Sequence, residues 1–289
     1  MPLPQVHVIG ASGRSGFALA RALGDRVVPV VRDAAKWAAL ADEIPPRIAD
    51  LTGKDGLAAA LAGATHIVSC AHARHTARIL EAAPPAARLV LLGSTRKFTR
   101  WPDDHGTGVL TGEAAFLASG RDGVMLHPTM IYGASGEDNV RRLALLAQRL
   151  PLLPLPGGGR SLVQPIHQSD VTRSVLAALD RPWSGPCSMV IAGPEAMSYL
   201  DFLRAIAKAS NARPPRVIPV PATPLMAAAW LTRLIPGLPT ISGAEIRRLL
   251  EDKAFSIASM RKELGVTPIG LTEGLALTFP ATHDLRQAS

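Results

Sequence analysis

Apolar residues in the first half of the chain fall in short blocks. Val6 to Ile9, Val27 to Val31, Arg47 to Ala49, His66 to Ser69, Arg88 to Leu92 and Val124 to His127 are brief runs, most of them rich in Val, Ile and Leu, and each predicts a strand. Between them, apolar positions at helical spacing predict helices over Arg14 to Leu23, Ala34 to Ala41, Gly56 to Leu61, Thr76 to Ala83 and Leu110 to Ser119. Strands apolar on both faces and separated by helices build a parallel sheet covered on both sides. The expected fold class is therefore α/β, a doubly wound parallel sheet.

After Tyr132 the rhythm changes. A helix is predicted over Asn139 to Arg149, and the proline- and glycine-rich stretch from Leu150 to Gly159 predicts irregular chain. A strand-helix-strand pattern then returns with Ser161 to Ile166, a helix beginning at Asp170, and Met189 to Ala192. From Ser198 to Gly265 the chain reads as mostly helical, with one strand at Val217 to Val220. The expected organisation is a core at 1-135 and a mixed region at 136-289, which rejoins the core through 161-192 and forms a smaller, mostly helical C-terminal lobe at 198-265. That lobe is expected over the carboxyl ends of the strands, with a small-molecule substrate in the cleft between core and lobe, because open α/β sheets bind ligands at that edge. Its apolar segment Pro224 to Ile235 and the basic pair Arg247-Arg248 suit a protein partner equally well.

Composition narrows the classes. The 289 residues are 47% hydrophobic, ample for a core, and carry a net charge of +8. The Lys and Arg are scattered and aromatic residues are only 4%, so no nucleic-acid arm is expected. The most membrane-like stretch, Pro224 to Ile235, contains Arg233 and falls short of the roughly 20 apolar residues of a spanning helix. The start, Met1-Pro2-Leu3-Pro4, has neither the basic nor the apolar region of a secretory signal. Two lone cysteines, Cys70 and Cys187, make neither a disulfide framework nor a metal set. A reducing, cytoplasmic location without a metal follows as the expectation.

The chemistry begins where the first strand runs into Gly10-Ala11-Ser12-Gly13-Arg14-Ser15-Gly16 and then into a helix. A backbone without side chains approaches a ligand closely, and a helix start offers unpaired N–H groups to an anion. With strand, turn and helix all in place, the turn predicts a pyrophosphate, hence a dinucleotide.

With these residues the sequence resembles an atypical or extended short-chain dehydrogenase/reductase, close to the NAD-dependent epimerase/dehydratase group with its NAD(P)-binding Rossmann fold. The landmarks are Gly10 to Gly16, Asp50-Leu51 after the third strand, Leu91-Leu92-Gly93-Ser94-Thr95 at the fifth, and His127-Pro128-Thr129-Met130-Ile131-Tyr132-Gly133. Further on, Gln164 to Val171 resembles the family's V-H-x-x-D-V segment, and Phe255 to Gly265 its closing helix. The usual Tyr-x-x-x-Lys pair is missing. The two tyrosines, Tyr132 and Tyr199, are followed four residues later by Gly136 and Leu203, and alignment on Gly112-Glu113 sets His105 and Val109 in the places of the pair.

Site expectations follow. Gly10, Ser12, Gly13, Arg14, Ser15 and Gly16 hold the pyrophosphate. Arg32, after the second strand, points to the 2′-phosphate of NADP(H). The alternative is NAD, with Asp33 on the ribose or capping the next helix. By the resemblance, Asp50 and Leu51 take the adenine, Cys70 and Ala71 line the phosphate and ribose path, and His127, Pro128 and Met130 pass the nicotinamide carboxamide. Ser94, Thr95 and His105 are the candidate proton-handling groups. The ordinary reading makes the two hydroxyls turn-satisfying groups and His105 a loop residue. His167 and Asp170 read as structural, with Asp170 as a helix N-cap. The implied activity is NADP(H)-dependent reduction of a small carbonyl compound. A non-catalytic redox sensor or structural subunit stands as the alternative, ahead of sugar-nucleotide epimerisation.

Overall fold

Each strand expected in the first half of the chain forms, and all but the short edge strand at Arg47–Ile48 are largely buried by the sheet. The computed structural model describes residues 4–41, 43–53, 56–133, 138–150, 152–228 and 242–280. The chain divides into two units, one holding the residues up to Thr129 with Gln168–Ile191 and Ile257–Thr267, the other holding Met130–His167, Ala192–Ser256 and the remainder.

The first unit contains strands β1 (Val6–Ile9), β2 (Val27–Val31), β3 (Arg47–Ile48), β4 (His66–Ser69), β5 (Arg88–Leu92) and β6 (Gly123–Pro128), joined by the strand Pro186–Ile191. All seven run parallel in the order Pro186–Ile191, β6, β5, β4, β1, β2, β3. The chain builds outward in opposite directions from β1, so the sheet has its switch point between β1 and β4, where open α/β sheets form a ligand crevice at the strands' carboxyl ends. Helices α1 (Arg14–Leu23), α2 (Ala34–Ala38), α3 (Leu57–Ala60), α4 (Thr76–Ala82) and α5 (Asp104–Ala118) lie among these strands in the chain. Helix α1 buries Gly16, Leu19, Ala20 and Leu23, the spacing of a single stripe. A cluster of Ile9, Ile67, Ile79, Leu89, Leu91, Phe116, Met125 and their neighbours forms the core beneath α3, α4 and α5.

Helix α5 begins at Asp104, not Leu110, because Asp103 accepts from the Gly106 amide at 2.8 Å and caps it. His105 is consequently a helical residue in the first turn, not a loop residue. The helix expected from Asp170 spans Gln168–Asp180, so Asp170 lies inside it, fully buried and paired with Arg173, instead of capping it. The stretch expected to be irregular contains a strand, Leu152–Pro156, paired in parallel with Arg216–Val220. Pro154 and Pro156 alternate, so their missing donors fall on one edge of the strand, and a two-stranded sheet needs only the other. The single strand expected over Ser161 to Ile166 is two short ones, Leu162–Val163 and Ile166–His167. Between them Pro165 removes a donor, while the Gln164 amide bonds the backbone of Gly193 and Phe255.

The second unit has its own core of Tyr132, Val140, Leu153, Leu155, Tyr199, Phe202, Leu203 and Ile206. Of the apolar segment expected over Pro224 to Ile235, the described part lies in the helix Ala222–Ala228, and the rest lies outside the described residues. Among the described residues no helix is long and apolar enough to cross a membrane.

Candidate functional site

The glycine turn after β1 is shaped by contacts that admit no side chain. Gly10 has φ +77°, its N–H donates to Val30 O at 2.9 Å, and its O accepts from Gly13 N at 2.9 Å. A Cβ on Gly16 would lie 2.2 Å from Gly10 O, and one on Gly10 would press on Ala71 N at 3.3 Å. Helix α1 thus packs tightly on its own turn, beside the loop that leaves β4. Its N-cap is Gly13, which offers no side chain to the first amides. Gly13 and Arg14 are exposed and Ser12 is half-buried, while Ser15 Oγ donates to Gln168 Oε1 at 2.9 Å.

At the far side of the switch point, Arg32 is exposed just past β2. The neighbouring Asp33 accepts from Lys36 N at 3.0 Å and so caps α2. Asp50 Oδ1 accepts from the backbone N–H and the hydroxyl of Thr52, each at 2.8 Å. Those bonds, and then the charges of Arg32 and Arg78, hold its carboxyl below the usual range. Leu51 and Ala71, both half-buried, pack on the core. Cys70 donates its N–H to Ile9 O at 2.9 Å, and burial pushes its thiol up to about 12, so at neutral pH it is an inert thiol rather than a nucleophile.

On the other side, Ser94 and Thr95 follow β5. Ser94 Oγ accepts from Arg96 N at 3.2 Å and caps the short turn Thr95–Phe98, and the buried Thr95 hydroxyl donates to Pro128 O at 3.2 Å. His105 stands edge-to-face with His72 at 4.3 Å between ring centroids, a contact that Gly108 permits because a Cβ there would lie 3.0 Å from the His72 ring. His72 Nδ1 accepts from Arg74 N at 3.0 Å, which leaves the ring proton on Nε2. Burial first, then the charges of His105, Arg74, His75 and Arg96, bring His72 down to about 4, so it is neutral at physiological pH. Val109, in the position of the missing lysine, is buried in the core. Met130 belongs to the second unit, where it packs on the Tyr132 cluster.

Sequence reasoning missed a buried polar network behind this edge. The His127 ring is fully buried, with Nδ1 accepting from Ser94 N at 3.1 Å and Nε2 lying 3.1 Å from Glu113 Oε1 and 3.0 Å from Ser188 Oγ. Lys97 Nζ reaches the two Glu113 oxygens at 2.5 and 2.7 Å, and Ser188 Oγ donates to Glu113 Oε1. Burial works to raise the Glu113 carboxyl, but the bonds from Lys97 and Ser188 outweigh it and hold the group below its ordinary range. His127 sits inside an otherwise apolar and fully buried strand, where a polar ring demands a partner, and that was the available signal. Among the described residues no group of His, Cys, Asp and Glu is placed to hold a metal ion.

No family model and no curated protein matches the sequence. Solved structures do match. An NADPH-dependent quinone oxidoreductase from Escherichia coli, solved with NADPH, is 18% identical, with 94% of this chain and 99% of that one covered at a TM-score of 0.74. The triphenylmethane reductase of a Citrobacter species is 16% identical, with 96% and 100% covered and a TM-score of 0.74. MoeE5, solved with UDP-glucose and NAD, is 20% identical, with 99% and 100% covered and a TM-score of 0.72. At these identities the likeness is one of fold. The chain has the Rossmann fold that these structures share, two of them solved with a nicotinamide dinucleotide, over nearly its whole length.

Proposed function

We propose that this chain binds NADP(H) on the Gly10–Gly16 turn and reduces a small carbonyl or quinone-type acceptor at the carboxyl edge of β4 and β5, without a Tyr-x-x-x-Lys pair. The observation that carries this reading is the side-chain-free approach to α1. Gly16 lets α1 start directly against the turn, where a Cβ would stand 2.2 Å from Gly10 O, and the exposed Gly13 caps the helix without a side chain to occupy its first amides. Such a start suits two linked phosphates. Gly10, Ser12, Gly13, Arg14, Ser15 and Gly16 would hold them, with Asp50 and Leu51 at the adenine, Cys70 and Ala71 along the ribose path, and Pro128 at the carboxamide.

Arg32 supports NADP over NAD, since its guanidinium is exposed at the end of β2 while the carboxylate that would take a ribose hydroxyl, Asp33, is engaged in capping α2. The Escherichia coli quinone oxidoreductase of the same fold was solved with NADPH. When bound, the nicotinamide supplies the hydride. The protein's part is to orient the acceptor and deliver a proton. Ser94 Oγ accepts from Arg96 N, which leaves its own O–H to donate to an acceptor oxygen. His105, in the first turn of α5 and edge-to-face with His72, is the second candidate group for returning that proton. Thr95 is committed to Pro128 O and serves the turn.

The test is NADPH oxidation against menadione, small aldehydes and small ketones. Turnover is expected with at least one, falling in Ser94→Ala and His105→Ala while NADPH affinity holds. Tight NADPH binding with no turnover selects the second reading, a dinucleotide-binding sensor or structural subunit. That reading is favoured by the burial of Tyr132 and Tyr199 in the second unit and of Val109 at the lysine position. Failure to bind either nicotinamide dinucleotide rejects both.

A further inference from the structure

We infer that Lys97, Glu113 and His127 form a buried clamp that positions Ser94 at the end of β5, an inference resting on the reading of that edge as the place of reduction. The turn Thr95–Phe98 is tied down at its start and at Lys97. At its start the Ser94 N–H donates to His127 Nδ1 at 3.1 Å, and within it Lys97 Nζ grips both Glu113 oxygens. The ring is pressed against the strand that leads into the turn, since a Cβ on Gly93 would lie 2.3 Å from Nδ1.

The bonding fixes the histidine's tautomer. An amide can only donate, so Nδ1 is the acceptor and the ring proton sits on Nε2, directed at Glu113 Oε1 and Ser188 Oγ. Lys97 Nζ lies 3.3 Å from the same Nε2, and both are donors gathered round one carboxylate. Burial, and then the Lys97 charge, bring His127 down to about 4, so the neutral ring keeps its acceptor through the neutral range. An ammonium and a carboxylate buried together are expensive compared with apolar packing, and a fully bonded polar network rigidifies what it holds. What this one holds is the backbone that sets the direction of Ser94 Oγ. Lys97, Glu113 and His127 are positioning residues: each acts through Ser94.

Two substitutions separate the clamp from simple packing. His127→Asn keeps an acceptor near the Nδ1 position, whereas His127→Gln keeps a polar end toward Glu113 and leaves the Ser94 N–H unpaired. In the full-length protein, exchange of the Ser94 amide proton followed by NMR should quicken about tenfold or more in His127→Gln and stay near wild type in His127→Asn. In menadione reduction with NADPH, kcat should fall in step with exchange while KM and the NADPH Kd stay within about twofold. In a Ser94→Ala background, His127→Gln should cost nothing further. Should His127→Gln fail to fold, the near-isosteric Glu113→Gln, which removes the Lys97 ion pair, is expected to quicken exchange in the same way. Equal exchange in wild type and these variants, or losses in kcat that add to that of Ser94→Ala, would overturn the clamp. If the wild type binds NADPH but reduces no acceptor, the functional reading fails while Ser94 exchange still decides whether the clamp exists.

Discussion

The His127 imidazole lies so close to the Cα of Gly93 that a methyl group there would stand 2.3 Å from Nδ1. The ring cannot retreat, because it is fully buried and bonded to Ser94 N, Glu113 and Ser188. Gly93→Ala should therefore destabilise the fold by about 1–3 kcal/mol or more, the usual cost of overpacking. Denaturant unfolding with an unchanged midpoint would mean that the ring moves freely after all.

Lys97 and Glu113 are each close to buried, at 11% and 12% side-chain exposure. Removing one partner of such a pair leaves an uncompensated charge, so Lys97→Met should cost about 3–5 kcal/mol. Adding Glu113→Gln to Lys97→Met should recover part of that loss, since the stranded charge is gone. A double variant as unstable as the sum of the singles would show that the two side chains do not act as a pair.

At the glycine turn the obstacle to a side chain is backbone, which cannot swing aside. Gly16→Ala would set a Cβ 2.2 Å from Gly10 O and 2.9 Å from Ala11 Cα, prising α1 from its turn. NADPH binding measured by calorimetry should fall below detection while the protein stays folded by circular dichroism. Retained affinity would place the dinucleotide elsewhere.

Cofactor choice should hinge on Arg32. Hydrogen bonds to charged groups contribute about 1.5–3 kcal/mol, so Arg32→Ala should weaken NADPH by roughly 10- to 100-fold and leave NADH nearly unchanged. Equal affinity of the wild type for the two would remove the preference for the phosphorylated form.

Acid should destabilise the protein. His127 and His72 are brought down to about 4 and His7 is lowered by burial and Arg47, so each binds its proton more readily in the unfolded chain. Their stabilising contribution is complete above the ordinary 6.5 and drains away as pH falls toward the folded values. The depressed Glu113 acts in the same direction further down, its contribution being lost as pH falls through its folded value. For His127 alone the loss at pH 5 is on the order of 2 kcal/mol. The urea midpoint should drop between pH 7 and pH 5, and less steeply in His127→Asn. A midpoint that holds or rises on acidification contradicts the buried, neutral ring.

The strands and the glycine turn were legible in the sequence because their determinants are local. Val6 to Ile9 and Arg88 to Leu92 are short runs whose burial needs no particular partner, and Gly10, Gly13 and Gly16 act on the strand and helix that flank them. The start of α5 was misplaced because its cap, Asp103, lies among polar residues that read as loop. The strand Leu152–Pro156 was missed because its prolines argue against a sheet until a partner, Arg216–Val220, arrives on the edge they leave free.

Apolar spacing and residues adjacent in the chain were enough to specify a doubly wound sheet and the bare glycine turn after its first strand, whereas the strand order that sets this turn at the switch point, and the meeting of Lys97, Glu113, His127 and Ser188, arise from packing. Glu113 lies 16 residues from Lys97, and His127 lies 61 from Ser188. Their encounter depends on α5 covering the sheet where Pro186–Ile191 pairs with β6. Burial makes each of these polar groups costly alone, and no local rule names the partner that makes it tolerable.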